Sequence, residues 1–109
     1  MEMMKALMVL SLMMLSVMAE GALLGGWKPI KDVSDPHVVE IAKYAVEEHN
    51  KQSKTDLKLD RVVSGQTQVV AGTNYKLIIA ASDGKSYEAI VWEKPWEHFR
   101  KLTSFRNAN

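Results

Sequence analysis

Three short segments of this chain carry residue types unusual for where they fall. Gln68-Val69-Val70-Ala71-Gly72 puts two valines and an alanine where a connection between strands calls for polar turn residues, which supply φ > 0 or local hydrogen bonds and keep apolar surface out of water. Leu24-Gly25-Gly26-Trp27 lets the backbone approach another surface without side-chain obstruction. Lys94-Pro95-Trp96 fixes φ at Pro95 and presents a large ring at a turn. Such residues make and break no bonds; what they can do is fill a partner's groove. On pattern alone a plainer reading stands beside this one: Val69 and Val70 continue a buried strand, the glycine pair is a linker, and Trp96 anchors a core.

Bond-making chemistry has little support. The chain has no cysteine, which removes thiol nucleophiles and thiolate metal ligands. His37, His49 and His98 are far apart in sequence, with no His-Glu-x-x-His zinc pattern and no Gly-x-Ser-x-Gly nucleophile turn. His49 closes an apolar helical stripe and reads as a packed side chain, while His98 flanks Trp96. Ser64-Gly65 and Asp83-Gly84 read as turn dipeptides, not as a phosphate cradle. The sequence therefore points to a protein that is not an enzyme and needs no metal or cofactor. With 14 basic and 13 acidic side chains, no basic stripe suggests nucleic acid as a partner.

The elements that must hold the three segments follow from periodicity. Ser34-Asp35-Pro36 gives a helix start, with Asp35 as cap and Pro36 at the first helical position. Val38, Ile41, Ala42, Ala45 and Val46 then form one apolar stripe, and the helix is expected to end near Asn50. Glu47 and Lys51 are spaced for an i,i+4 ion pair. After a polar connection the period changes to two: Leu57, Leu59, Arg61 and Val63 share one face of a first run, and Tyr75, Leu77, Ile79 and Ala81 one face of a second. A turn at Ser82-Asp83-Gly84-Lys85 leads to Tyr87, Ala89 and Val91. A last strand is predicted from Glu97 to Phe105, where the spacing of Phe99, Leu102 and Phe105 is three and calls for a bulge or a helical turn. One helix and a four-strand meander make an α+β domain, with the stripe packed across one sheet face.

At 109 residues the chain has room for one domain. Residues 1–19 read as a secretory signal peptide: Lys5 is the basic start, the apolar run Ala6 to Ala19 is short of the roughly 20 residues that span a bilayer, and Val17-Met18-Ala19 precedes the cleavage point. Residues 20–109 then form the mature domain, with an extended arm over 20–33 and helix and sheet over 34–106. Secretion or residence in the endomembrane system, without stable membrane association after signal removal, is the expectation. No Asn-x-Ser/Thr sequon is present, and without disulfides stability rests on packing alone.

Four ordered motifs, Gly25-Gly26, Ile41-Ala42-Lys43-Tyr44-Ala45-Val46, Gln68-x-Val70-x-Gly72 and Pro95-Trp96, closely resemble those of the plant cystatins over about Gly25 to Phe105. The resemblance implies the cystatin-like fold, one helix across a four- to five-stranded antiparallel sheet, with a further strand from the arm near Trp27 or Pro29. It implies reversible, competitive inhibition of papain-like cysteine proteases in plant defense or endogenous control. Val69, Val70 and Ala71 would enter the cleft, with Gln68 and Gly72 framing the loop. Pro95 and Trp96 would lie on one side of it and Leu24, Gly25 and Gly26 on the other. A non-inhibitory peptide-binding or storage module on the same fold is the alternative, and a cysteine-independent hydrolase a distant third. Ending soon after Phe105, the chain is expected to lack activity against legumain-type proteases. It is expected to be a monomer, with one route to a dimer: adjacent valines at the tip would strain it, and straightening the loop would let two chains exchange halves.

Overall fold

The helix start is built by its capping residues. The Asp35 carboxylate accepts a hydrogen bond from the His37 backbone N–H at 2.9 Å, and Pro36 takes the first helical position, where its missing N–H costs nothing. In the structure, a computed structural model that describes residues 25–109, the helix α1 runs Pro36–Ser53. The signal-peptide segment and Leu24 lie outside the described residues. α1 extends past Asn50 because the stop comes from Lys54, whose left-handed backbone (φ 55°) turns its N–H onto the Asn50 carbonyl. Asn50 also fixes the exit, donating from Nδ2 to the Leu57 carbonyl at 2.9 Å and accepting at Oδ1 from the Thr55 hydroxyl and the Leu57 N–H. The expected Glu47–Lys51 pair is replaced by Lys51 with Glu48, one helical position closer, at 3.4 Å.

Five antiparallel strands follow one another across the sheet in chain order: β1 (Lys28–Pro29), β2 (Leu59–Val70), β3 (Gly72–Ala81), β4 (Ser86–Lys94) and β5 (Phe99–Asn107). This is the α+β arrangement that the periodicity predicts, with the arm supplying β1. The stripe Val38, Ile41, Ala42, Ala45 and Val46 packs on Leu77, Ile79, Ala89, Val91 and Leu102, and most of these are wholly buried. Burial on that scale is the principal stabilising contribution to a chain with no cross-links. His49 is packed, as its place on the stripe suggests, stacking on Phe105 at 3.9 Å between ring centroids.

β2 departs from the simple alternation. Val62 is buried while Val63 is 44% exposed, the reverse of the expected face, because register shifts between Leu59 and Arg61 and between Val62 and Ser64 rotate the strand. Nor is Ser64-Gly65 a turn. Gly65 lies inside β2, where a Cβ would come within 2.7 Å of Leu77 Cδ2 and 2.9 Å of Ile30 Cδ1, so its bareness lets the arm cross the sheet. At the other edge, Pro95–Glu97 forms a single 3-10 turn and β5 begins at Phe99, two residues after the predicted start. Between Leu102 and Phe105 the three-residue spacing has the cause the sequence suggests, a bulge, whereas Phe99 packs on Trp92 and not in the core. Ile90 pairs with Ser104 but Val91 with Leu102, so Thr103 is an extra residue, and Leu102 and Phe105 both turn toward the helix.

A convergent apolar end of the sheet

Strand register brings the three segments to one end of the molecule. Val69 pairs with Thr73, Thr73 with Glu93 and Glu93 with Arg100, so the β2–β3 connection and the β4–β5 connection leave the same end of the sheet. On the other side of β2, Lys28 pairs with Thr67 in antiparallel sense. Continuing backward from Lys28, the arm through Gly26 and Gly25 therefore runs toward that same end. A Cβ on either glycine would meet nothing within 4 Å, so the arm is open to a partner there.

The valines do not make the turn. Val69 and Val70 are the last residues of β2, opposite Thr73 and Gly72, where β-branched side chains suit the extended backbone. Ala71 alone is left at the tip. The reversal is carried by Gly72, whose φ is +94°. This removes the reason for expecting strain at the valines. Val69 is nonetheless 62% exposed, and Gln68, in the strand below, steadies the hairpin by accepting from Asn74 Nδ2 at 3.2 Å. Trp96 is 65% exposed on the 3-10 turn and so is not a core tryptophan. His98 closes that turn in the left-handed conformation (φ 51°), its N–H reaching the Pro95 carbonyl at 3.0 Å.

Beneath these tips lie contacts organised by Trp92, Glu93 and Arg100, which the sequence patterns did not single out. The Trp92 indole N–H donates to the Ala71 carbonyl at 2.8 Å, and its ring meets Phe99 edge to face. Lys94 places its ammonium 4.7 Å from both ring centroids and pairs with Glu97 at 3.2 Å. On the inward face, Glu93 is 5% exposed, accepting from Arg100 at 2.6 Å and paired with His37 Nε2 at 2.8 Å. Arg100 also reaches Glu40 at 2.8 Å, and Tyr44 donates its hydroxyl to the Arg100 carbonyl. Burial by itself would raise the Glu93 carboxyl, but the hydrogen bonds from Arg100 and His37 outweigh it and hold the group below the ordinary value. The only sequence signal for this cluster is a carboxylate that continues the period of two from Ala89 and Val91 on the buried face of a strand.

Such a surface offers shape and apolar contact, with no nucleophile and base in hydrogen-bonded array and, among the described residues, no group of three or more metal-ligating side chains. Known proteins are similar to the chain. Residues 30–108 match a family described as "Aspartic acid proteinase inhibitor". Over 92 residues the chain is 60% identical to "Cysteine proteinase inhibitor 5" of Arabidopsis thaliana, covering 81% of this chain and 75% of that protein. It is 58% identical over 85 residues to "Cysteine proteinase inhibitor 1" of Actinidia chinensis var. chinensis, covering 75% and 73%. A crystal structure of a salivary cystatin from the soft tick Ornithodoros moubata superposes with a TM-score of 0.69 at 24% identity, over 78% of this chain and 98% of that one, and so shares the fold. By these likenesses, and by the helix laid across a five-stranded sheet, the chain belongs to the plant cystatin family of proteinase inhibitors.

Proposed function

We propose that this protein is a reversible, competitive, tight-binding inhibitor of papain-like cysteine proteases that acts by filling the active-site cleft. The observation that carries the reading is the convergence of arm, β2–β3 tip and Pro95-Trp96 turn at one end of the sheet, with Val69 and Trp96 both more than half exposed. A cysteine protease attacks a carbonyl held at reaction distance in a narrow cleft. Here Val69, Val70 and Ala71 enter the cleft, Gln68 and Gly72 shape the hairpin that carries them, and Pro95 and Trp96 cover the primed side. Leu24, Gly25 and Gly26 pass along the unprimed side. The wide, flat contact of a tryptophan ring makes Trp96 the main anchor. The names of the relatives support cysteine proteases as the target class.

The test is a panel of inhibition constants for the mature protein against several papain-like proteases and one legumain-type protease. Saturable, stoichiometric blockade of the papain-like members without turnover is expected. No inhibition of any of them would overturn the reading and return the fold to a storage or peptide-binding role. A second reading, inhibition of aspartic proteases, is favoured by the description of the matched family, and pepsin in the same panel decides it. We further propose that residues 1–19 direct the chain into the secretory pathway. N-terminal sequencing of the product made in plant cells should find it beginning near Glu20.

A further inference from the structure

We infer that Trp92 is a positioning residue that ties the two hairpins into one rigid wedge, holding the Ala71 carbonyl so that the β2–β3 tip and the Pro95–Glu97 turn meet a protease as a single body. This rests on the inhibitory reading above and goes beyond it by assigning a role to a residue set back from the contact surface.

Three observations at one place carry the inference. Trp92 Nε1 donates to the Ala71 carbonyl at 2.8 Å, a bond from the penultimate pair of β4 to the one residue that stands outside both strands of the first hairpin. Gly72, next in sequence, is seated so closely on β4 that an added Cβ would overlap the Glu93 carbonyl oxygen and come within 2.8 Å of Lys94 Cγ. The Trp92 ring is itself braced from the second hairpin, edge to face with Phe99 at 5.2 Å and under the Lys94 ammonium at 4.7 Å. Lys94 precedes the second turn and Phe99 follows it, so Trp92 touches the first tip at Ala71 and the two residues that flank the second.

A hairpin tip that pairs only with itself moves on its own, and each independent tip must be ordered when it binds. Ala71 is exposed and has no strand partner, so its peptide plane would be free to rotate without the indole bond. Fixing it also fixes where Val69 and Val70 stand relative to Trp96. The effect is pre-organisation: association becomes more productive and the complex holds together longer, with no added contact to the partner.

Trp92→Phe isolates this role, because the ring still packs on Phe99 and Lys94 while the donor is gone. Wild type must first inhibit a papain-like protease; its failure there would refute the proposed function and leave the tie itself standing or falling on solution structure. For the tie, the free protein is followed by backbone 15N relaxation and indole hydrogen exchange. The wild-type Trp92 indole N–H should exchange more slowly than that of Trp96, and the Ala71 and Gly72 amides should show high order parameters that fall in Trp92→Phe. Against the protease, Trp92→Phe should raise the inhibition constant about three- to tenfold, the range for one neutral hydrogen bond. The melting temperature should stay within about 5 °C of wild type. Trp92→His, able to present a ring N–H on the same side, serves as the rescue variant and should recover part of the lost order and inhibition. Unchanged order parameters at Ala71 and Gly72 in Trp92→Phe, or an inhibition constant equal to wild type, would overturn the assignment.

Discussion

At Trp96, exposure separates contact from core. Because the ring is 65% exposed, Trp96→Ala should leave the melting temperature near wild type. It should cost about 2 kcal/mol of binding, a roughly thirtyfold rise in the dissociation constant. A fall in stability of about 3 to 5 kcal/mol, as for a buried tryptophan, would refute the assignment. Gly72 behaves differently. Its positive φ and its seat on the Glu93 carbonyl mean that any side chain strains the turn by about 1 to 3 kcal/mol. Gly72→Ala should lower both melting temperature and inhibition, and Gly72→Val should lower both further. Glu93 gives a prediction in pH. Its carboxyl lies below the ordinary value of 4.5 in the folded protein, so its stabilising effect is complete above that value and disappears as pH falls through the folded one. Melting curves of wild type and Glu93→Gln should be furthest apart near neutrality and converge in acid; a constant gap would rule this out. The sequence made Gln68, Val70, Gly72, Pro95 and Trp96 legible because each sits in a short local pattern. Trp92, Glu93 and Arg100 act through partners 7 to 60 residues away, and no local spacing reveals such pairs.

Among the elements, the arm is the one attached least. β1 is two residues long and pairs only with Gln66 and Thr67, while Trp27 adds a cation–π contact with Lys76 at 4.3 Å. Removing the chain through Gly26 leaves these attachments in place and should weaken inhibition chiefly through faster dissociation. Surface-immobilised protease measures this directly, and equal dissociation rates for full and trimmed forms would remove the arm from the contact. The helix was readable because a capped stripe at 3.6 residues per turn has few competing solutions. Strands were harder wherever tertiary demands override the period of two. In β2 two register shifts before Ser64 exchange the faces of Val62 and Val63, and nothing within the strand's own sequence states where they fall or that Ile30 of the arm seats against Gly65.

Over the whole of the described residues the molecule is one helix on one open sheet, and that topology leaves a route to exchange. Straightening Ala71 and Gly72 would merge β2 with β3 and release the helix-bearing half to a second chain. The valines no longer supply the impulse, since they already lie in extended strand. The closed hairpin must instead give up the Trp92–Ala71 hydrogen bond. A dimer formed slowly by mild heating at high concentration should lack the tip and be inactive against papain, and size exclusion followed by assay of each fraction checks this. A dimer as inhibitory per chain as the monomer would exclude exchange through this loop. An open sheet also has an outer edge, and here the extra residue in β5 acquires a second meaning. Thr103, exposed at the bulge, turns its hydroxyl inward to the Ile90 carbonyl at 3.1 Å, and Lys101 and Arg106 stand exposed on the same strand. A neighbouring molecule seeking to add its own strand meets a kinked ladder carrying the charged side chains of Lys101 and of Arg106, the latter paired with Glu88, so the irregularity that turns Leu102 and Phe105 inward also makes the edge a poor template for aggregation.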